Sequence, residues 1–183
     1  MTTLPVSRAH QVFVLMGVSG SGKSAVANAV ACQTHAAFLD GDFLHPRSNI
    51  EKMSQGNPLN DDDRRPWLQA INDAAFAMQR TNAVSLIVCS ALKKSYRDAL
   101  RAGNPYLTFI YLRGDIDTIE QRLRARKGHF FKPQMLMTQF ATLEEPGNDE
   151  KDVQTVNINQ TLDNVVEDTL NVIEHQQRMM EAS

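Results

Sequence analysis

Residues 17–24 read Gly17-Val18-Ser19-Gly20-Ser21-Gly22-Lys23-Ser24 and fill every fixed position of the pattern G-x-x-x-x-G-K-[ST]. The pattern constrains the fold because it works only between a strand and a helix. The apolar run Val12-Phe13-Val14-Leu15-Met16 predicts a buried parallel strand before it, and Ala25-Val26-Ala27-Asn28-Ala29-Val30-Ala31 predicts a helix after it. The glycines let the backbone curl with its N–H groups pointing inward, and the helix N-terminus adds partial positive charge, so the loop suits a phosphate chain. Lys23 can reach the outer phosphates of a nucleotide, and the Ser24 hydroxyl can ligate Mg²⁺. The bland alternative is a Gly/Ser-rich connector without function, and the flanking strand and helix weigh against it.

Strand and helix signals alternate along the rest of the chain. Further strands are expected at residues 37–39, 84–89, 107–112 and 153–158, and further helices at 93–101, 117–126, 135–143 and 162–179. Asp61-Asp62-Asp63 opens another helix, with Trp67, Ile71, Ala74, Ala75 and Met78 at helical spacing and Pro66 tolerable only in a first turn. Residues 43–60 read as a polar connection and 127–133 as an exposed loop carrying Lys127, His129 and Lys132. This alternation predicts an α/β fold in a single domain spanning 1–183, a mostly parallel five-stranded sheet with helices on both faces. Ligands of such sheets bind beyond the carboxyl ends of the strands, which puts the loop, Asp40, Asp42 and Lys93 on one rim.

Asp40-Gly41-Asp42 follows the second strand. If the strand alternation continues, both carboxylates face the crevice. Phosphoryl transfer needs one acid near the metal and one to orient the attacking hydroxyl and take its proton, and we assign Asp40 and Asp42 to these roles in turn. Arg122 and Arg126 lie one helical turn apart and share a face, whereas Arg124 points elsewhere. They read either as a lid over ATP or as a solvated basic face pairing with Glu120 or Asp115. The run His45, Arg47, Lys52, Arg64 and Arg65 suits an anionic substrate, although each residue alone reads as a surface group. The strand ending at Ser90 carries no terminal acid, and no Asn-Lys-x-Asp or Asp-x-x-Gly motif is present, which weighs against a GTPase switch or a motor ATPase.

The net charge of −2 supplies no basic footprint for nucleic acid or an anionic membrane. No apolar run approaches the roughly 20 residues of a membrane span. The first ten residues lack the apolar core of a signal peptide. Cys32 and Cys89 have no metal-ligand spacing, and Cys89 reads as a buried thiol. A cytoplasmic protein is the expectation.

Three longer stretches carry more. They are Phe38-Leu39-Asp40-Gly41-Asp42-Phe43-Leu44-His45-Pro46 with Asn49 to Met53 and Gly56 to Leu68 beyond it, then Val88-Cys89-Ser90-Ala91-Leu92-Lys93-Lys94 with Tyr96-Arg97-Asp98, and Arg126-x-Gly128-His129-Phe130-Phe131. Together they resemble the bacterial gluconate kinases over nearly the whole chain. The resemblance implies a P-loop kinase of nucleoside-monophosphate-kinase-like type, with a substrate-binding region at about 43–68 and a lid at about 122–140. It implies transfer of the ATP γ-phosphoryl group to the 6-hydroxyl of D-gluconate, with Mg²⁺, in a cytoplasmic homodimer. By the same resemblance Lys23 and Ser24 take the phosphate and metal positions, Asp40 and Asp42 the acid pair, and Arg122 and Arg126 the lid arginines. His45, Arg64, Trp67, Lys93 and Arg97 fall where sugar-acid contacts are expected. A shikimate or nucleoside monophosphate kinase on the same fold, and a nucleotide-binding regulator without catalysis, remain as alternatives.

Overall fold

The computed structural model describes residues 10–126 and 132–182. Lys127 and His129 of the expected lid loop, and the residues before His10, lie outside the described residues. Five parallel strands form one sheet in the order β2-β3-β1-β4-β5: β1 Gln11–Met16, β2 Ala37–Asp40, β3 Val84–Val88, β4 Leu107–Arg113 and β5 Val153–Asn157. The central strand β1 is buried along its whole length, which is why it reads as an unbroken apolar run rather than an alternating one.

Alternate residues of β1 feed two cores. Phe13 and Leu15 pack with Val26 and Val30 of α1 (Lys23–Thr34), Ile119 of α5 (Ile116–Ala125), Leu136 of α6 (Pro133–Thr142) and Val165 and Ile173 of α7 (Leu162–Glu181). Val12, Val14 and Met16 face the other way, onto Trp67, Leu68 and Ile71 of α3 (Asp61–Thr81) and Tyr96 and Leu100 of α4 (Lys94–Arg101). Both faces are therefore covered, as the alternation predicts. β3 and β4 flank β1 on opposite sides, so the chain reverses direction across the sheet at the carboxyl end of β1, where the Gly-rich loop emerges. No helix among the described residues is long and apolar enough to cross a membrane.

Two local features differ from the sequence reading. The polar connection contains a 3-10 turn, Gly41–Leu44, and a helix, α2 (Arg47–Ser54). The helix is short and mostly polar. It is tied down by the Asn49 side chain, which donates to the Asp63 carbonyl at 2.8 Å, and by Lys52 paired with the Asp63 carboxylate at 2.6 Å. Short helices of this kind depend on tertiary contacts rather than propensity, and periodicity does not reveal them. Pro66 stands sixth in α3, beyond the first turn where it was expected. The helix tolerates it behind a strong start: Asn60 accepts the Asp63 N–H at 2.8 Å while the Asp63 carboxylate accepts the Asn60 N–H at 2.9 Å.

Candidate active site

The Gly-rich loop wraps around the Lys23 ammonium, which donates to the carbonyl oxygens of Gly17 and Val18 at 2.9 Å each. Removal of this amine from water lowers its pKa to about 8, against the opposing pull of Asp42, Cys89 and Asp40. Gly20 has a φ of +82°, and a Cβ there would lie 2.7 Å from Leu123 of α5, so only glycine lets the loop run this close to the lid-side helix. Ser19, Gly20, Gly22, Lys23 and Ser24 line a cleft of about 440 Å³. Gly17, Val18 and Ser21 build the loop from behind: the Gly17 N–H donates to the Ser90 carbonyl at 3.2 Å, and Ser21 donates from its N–H to the Val18 carbonyl at 3.2 Å. Cys89 also lines the cleft; burial pushes its thiol up to about 12.

The acid pair is arranged differently from the strand argument. β2 ends at Asp40, and Asp42 belongs to the 3-10 turn. Asp40 turns one carboxylate oxygen back to accept the Asp42 N–H at 3.0 Å and the other toward the Ser24 hydroxyl at 3.5 Å. Asp42 lines the cleft and Asp40 stands behind Ser24. The turn rather than the pleat therefore aims Asp42. Gly41 is needed between them, because a Cβ would lie 2.5 Å from the Val88 carbonyl oxygen.

Arg122 and Arg126 both line the cleft opposite the loop. Arg122 is anchored through Nη2 to the carbonyl oxygens of Ile158 and Gln160, the latter at 2.8 Å. Arg124 points away and pairs with Glu120 at 2.6 Å. One cleft residue had no signal in the sequence: Gln139 of α6, whose carboxamide oxygen accepts the Ser19 backbone N–H at 2.6 Å.

Beside Asp42 lies a polar cluster made by the 3-10 turn and α3. The His45 ring stacks on Trp67 with centroids 4.3 Å apart and planes 12° from parallel. Partial burial lowers the His45 pKa, with Asp42 opposing and Arg64 reinforcing that shift. Arg64 and Lys93 both lie over the Tyr96 ring, at 5.7 and 5.5 Å from its centroid. Lys93 chelates the Asp61 carboxylate at 2.9 and 3.0 Å, and Arg64 donates to the Leu59 carbonyl at 2.6 Å.

Two expected sugar-acid contacts need correction. Arg97 is fully buried, and its five N–H groups are committed: to both Glu150 carboxylate oxygens at 2.8 and 2.6 Å, and to the carbonyls of Ala91, Leu92 and Glu144. It braces the segment carrying Lys93 and has no donor left for a ligand. Trp67 is only 3% exposed and its indole N–H donates to the Gly41 carbonyl at 2.8 Å. It supports His45 and the Asp42 turn from beneath.

A strand–loop–helix cleft with a loop lysine, a facing acid and two arginines defines a P-loop phosphotransferase of the small-kinase type. The adenylylsulphate kinase family model matches residues 9–153. Closer relatives narrow the family. The thermoresistant gluconokinase of Escherichia coli is 75% identical, covering 90% of this chain and 94% of that protein. The thermosensitive gluconokinase of the same organism is 50% identical over 87% and 85%. A crystal structure of a gluconokinase from Sinorhizobium meliloti superposes with a TM-score of 0.84 at 40% identity, covering 95% of this chain and 97% of that one. The chain belongs to the gluconokinase family of P-loop kinases.

Proposed function

We propose that this cleft transfers the terminal phosphoryl group of ATP to the 6-hydroxyl of D-gluconate, giving 6-phospho-D-gluconate and ADP. The observation that carries the reading is the convergence of Lys23, Asp42, Arg122 and Arg126 on one cleft in a chain of this family. The bond between the γ-phosphorus and its bridging oxygen breaks, leaving ADP. The 6-hydroxyl oxygen forms the new bond, and its proton passes to the Asp42 carboxylate. Lys23 exchanges the Gly17 and Val18 carbonyls for phosphate oxygens and offsets the charge that develops there. Arg126, and the guanidinium N–H groups of Arg122 not held by Ile158 and Gln160, close over the same phosphates.

The donor set fits Mg²⁺. Ser24 hydroxyl and Asp40 carboxylate are hard oxygen donors 3.5 Å apart, and among the described residues no group of three or more His, Cys, Asp or Glu forms a metal-holding cluster. A sparse set of this kind suits a cation that keeps several waters and shares the phosphates. When bound, Mg²⁺ supplies charge neutralisation to the phosphate chain.

Gluconate carries a carboxylate at one end and a primary alcohol at the other. We assign the carboxylate end to Arg64, Lys93 and His45, and the alcohol to Asp42; Arg forks suit carboxylates. Residues 43–68 form the substrate-binding region and about 122–140 the lid of a single kinase domain, and closure over the cleft keeps water from the phosphoryl group. The resemblance to the family supports a cytoplasmic homodimer, and the net charge of −2 supports a partner list without nucleic acid or membrane.

Product analysis by phosphorus NMR tests this reading. With Mg-ATP and D-gluconate we expect a phosphomonoester resonance coupled to the C6 protons of gluconate, matched by ADP. Inorganic phosphate alone, or a phosphate on another carbon, would overturn it.

A further inference from the structure

Gln139 joins the helix that returns from the lid region to the tip of the phosphate loop. Its Oε1 accepts the Ser19 N–H at 2.6 Å, and it shares the cleft with Lys23, Asp42, Arg122 and Arg126. A backbone N–H can only donate, so this bond sets the orientation of the carboxamide: oxygen toward the loop, NH₂ away from it. Among the described residues no hydrogen-bond partner takes that NH₂ group. The side chain is half-buried rather than lying free on the surface. The cleft thus holds a neutral double donor, fixed in direction by the loop itself and standing among three cations.

The transferring phosphoryl group spreads its charge over three equatorial oxygens, which calls for several donors fixed in advance. Lys23 and the arginines supply charge. A carboxamide held by Ser19 supplies direction. We infer that Gln139 is a catalytic residue, donating from Nε2 to an equatorial oxygen of the transferring phosphoryl group while its Oε1 holds the Ser19 N–H. The inference rests on the phosphoryl-transfer reading above and adds a contact absent from it. It also links lid and loop, because α6 cannot move off the cleft without releasing Ser19.

The test uses Gln139→Glu and Gln139→Leu. Glutamate keeps an acceptor for the Ser19 N–H and removes the donors; leucine removes both. We expect both variants to melt with the wild type and to lose kcat by about tenfold to a hundredfold, the range for one well-placed donor. ADP binding should stay within about twofold of wild type, whereas the preference for a non-hydrolysable ATP analogue over ADP should fall by about tenfold in Gln139→Leu. Wild-type kcat in Gln139→Glu would overturn the inference, since the acceptor alone would then suffice. Tighter binding of the ATP analogue by Gln139→Leu would overturn it too, by making the carboxamide a plug over the loop. If the wild type itself shows no gluconate-dependent turnover, the functional reading fails, and the analogue-over-ADP comparison still decides whether Gln139 touches the terminal phosphate.

Discussion

The Trp67 indole N–H donates to the Gly41 carbonyl oxygen at 2.8 Å, tying the first turns of α3 to the residue between the two acids. The same indole carries His45 stacked on its face. One buried side chain therefore sets the position of Asp42 on one side and of the polar substrate cluster on the other.

Trp67→Phe keeps most of the stacking surface and removes the donor, so the Gly41 carbonyl keeps only its place in the 3-10 turn and loses its tie to α3. We expect a loss of about 0.5–1.5 kcal/mol in stability, the net worth of one hydrogen bond. We also expect a several-fold fall in kcat with ATP affinity unchanged. Urea midpoints and steady-state kinetics on the same preparation check both.

Lys23 has its pKa lowered to about 8 in the free protein. An anionic phosphate chain favours the protonated amine, so nucleotide binding raises that pKa again and takes up a proton. Affinity for ATP should be level below pH 7 and fall by up to about tenfold per pH unit above 8, until the amine of the complex loses its own proton. Calorimetric titrations at pH 8.5 in two buffers of different ionisation enthalpy should show proton uptake on binding. Lys23→Ala should fold normally, lose most turnover and lose this uptake.

Asp42→Asn keeps the turn and the size of the side chain and removes the proton acceptor. Turnover should fall by about a hundredfold to ten-thousandfold, the range for a general base. ATP affinity should change little, because Lys23 and the loop hold the nucleotide. Equal losses in kcat and ATP affinity would give Asp42 a structural role instead.

Glu150 is buried between Arg97 and Arg101, at 2.6 and 2.8 Å from their guanidinium nitrogens. Arg97 first, then Arg101, holds its carboxyl at about 2 against an ordinary 4.5, burial opposing. A depressed carboxylate stabilises the fold above its unfolded pKa and loses that contribution as pH falls through the folded one. Glu150→Gln should therefore cost about 3–5 kcal/mol at pH 7, the penalty for leaving a buried partner charge. The gap from wild type should narrow as pH falls from 4.5 toward 2. Denaturation midpoints at pH 7 and pH 3 measure it.

What the sequence revealed follows the range of the interactions. The phosphate loop and the three inner strands β1, β3 and β4 are local signals: a fixed spacing of glycines and a lysine, and apolar runs buried on both faces. The position of Asp42 depends on a 3-10 turn that strand alternation does not foresee. Arg97 falls among the sugar-acid contacts by resemblance alone, and its actual partner Glu150, 53 residues away, leaves no local sign. Gln139 meets Ser19 across 120 residues, and a glutamine on a helix carries no mark of such a contact. The helix α2 is held by Asp63, on the next helix, and so left no periodic trace.

The central claim is that Lys23 and Asp42 serve phosphoryl transfer to gluconate. ADP release from the purified protein with Mg-ATP tests it most directly, in parallel reactions with D-gluconate, shikimate, adenylylsulphate, nucleoside monophosphates and no acceptor. Turnover should depend on gluconate, be weak with the others, and be lost in Asp42→Asn. Equal ADP release with and without gluconate, or a clear preference for another acceptor, would contradict it.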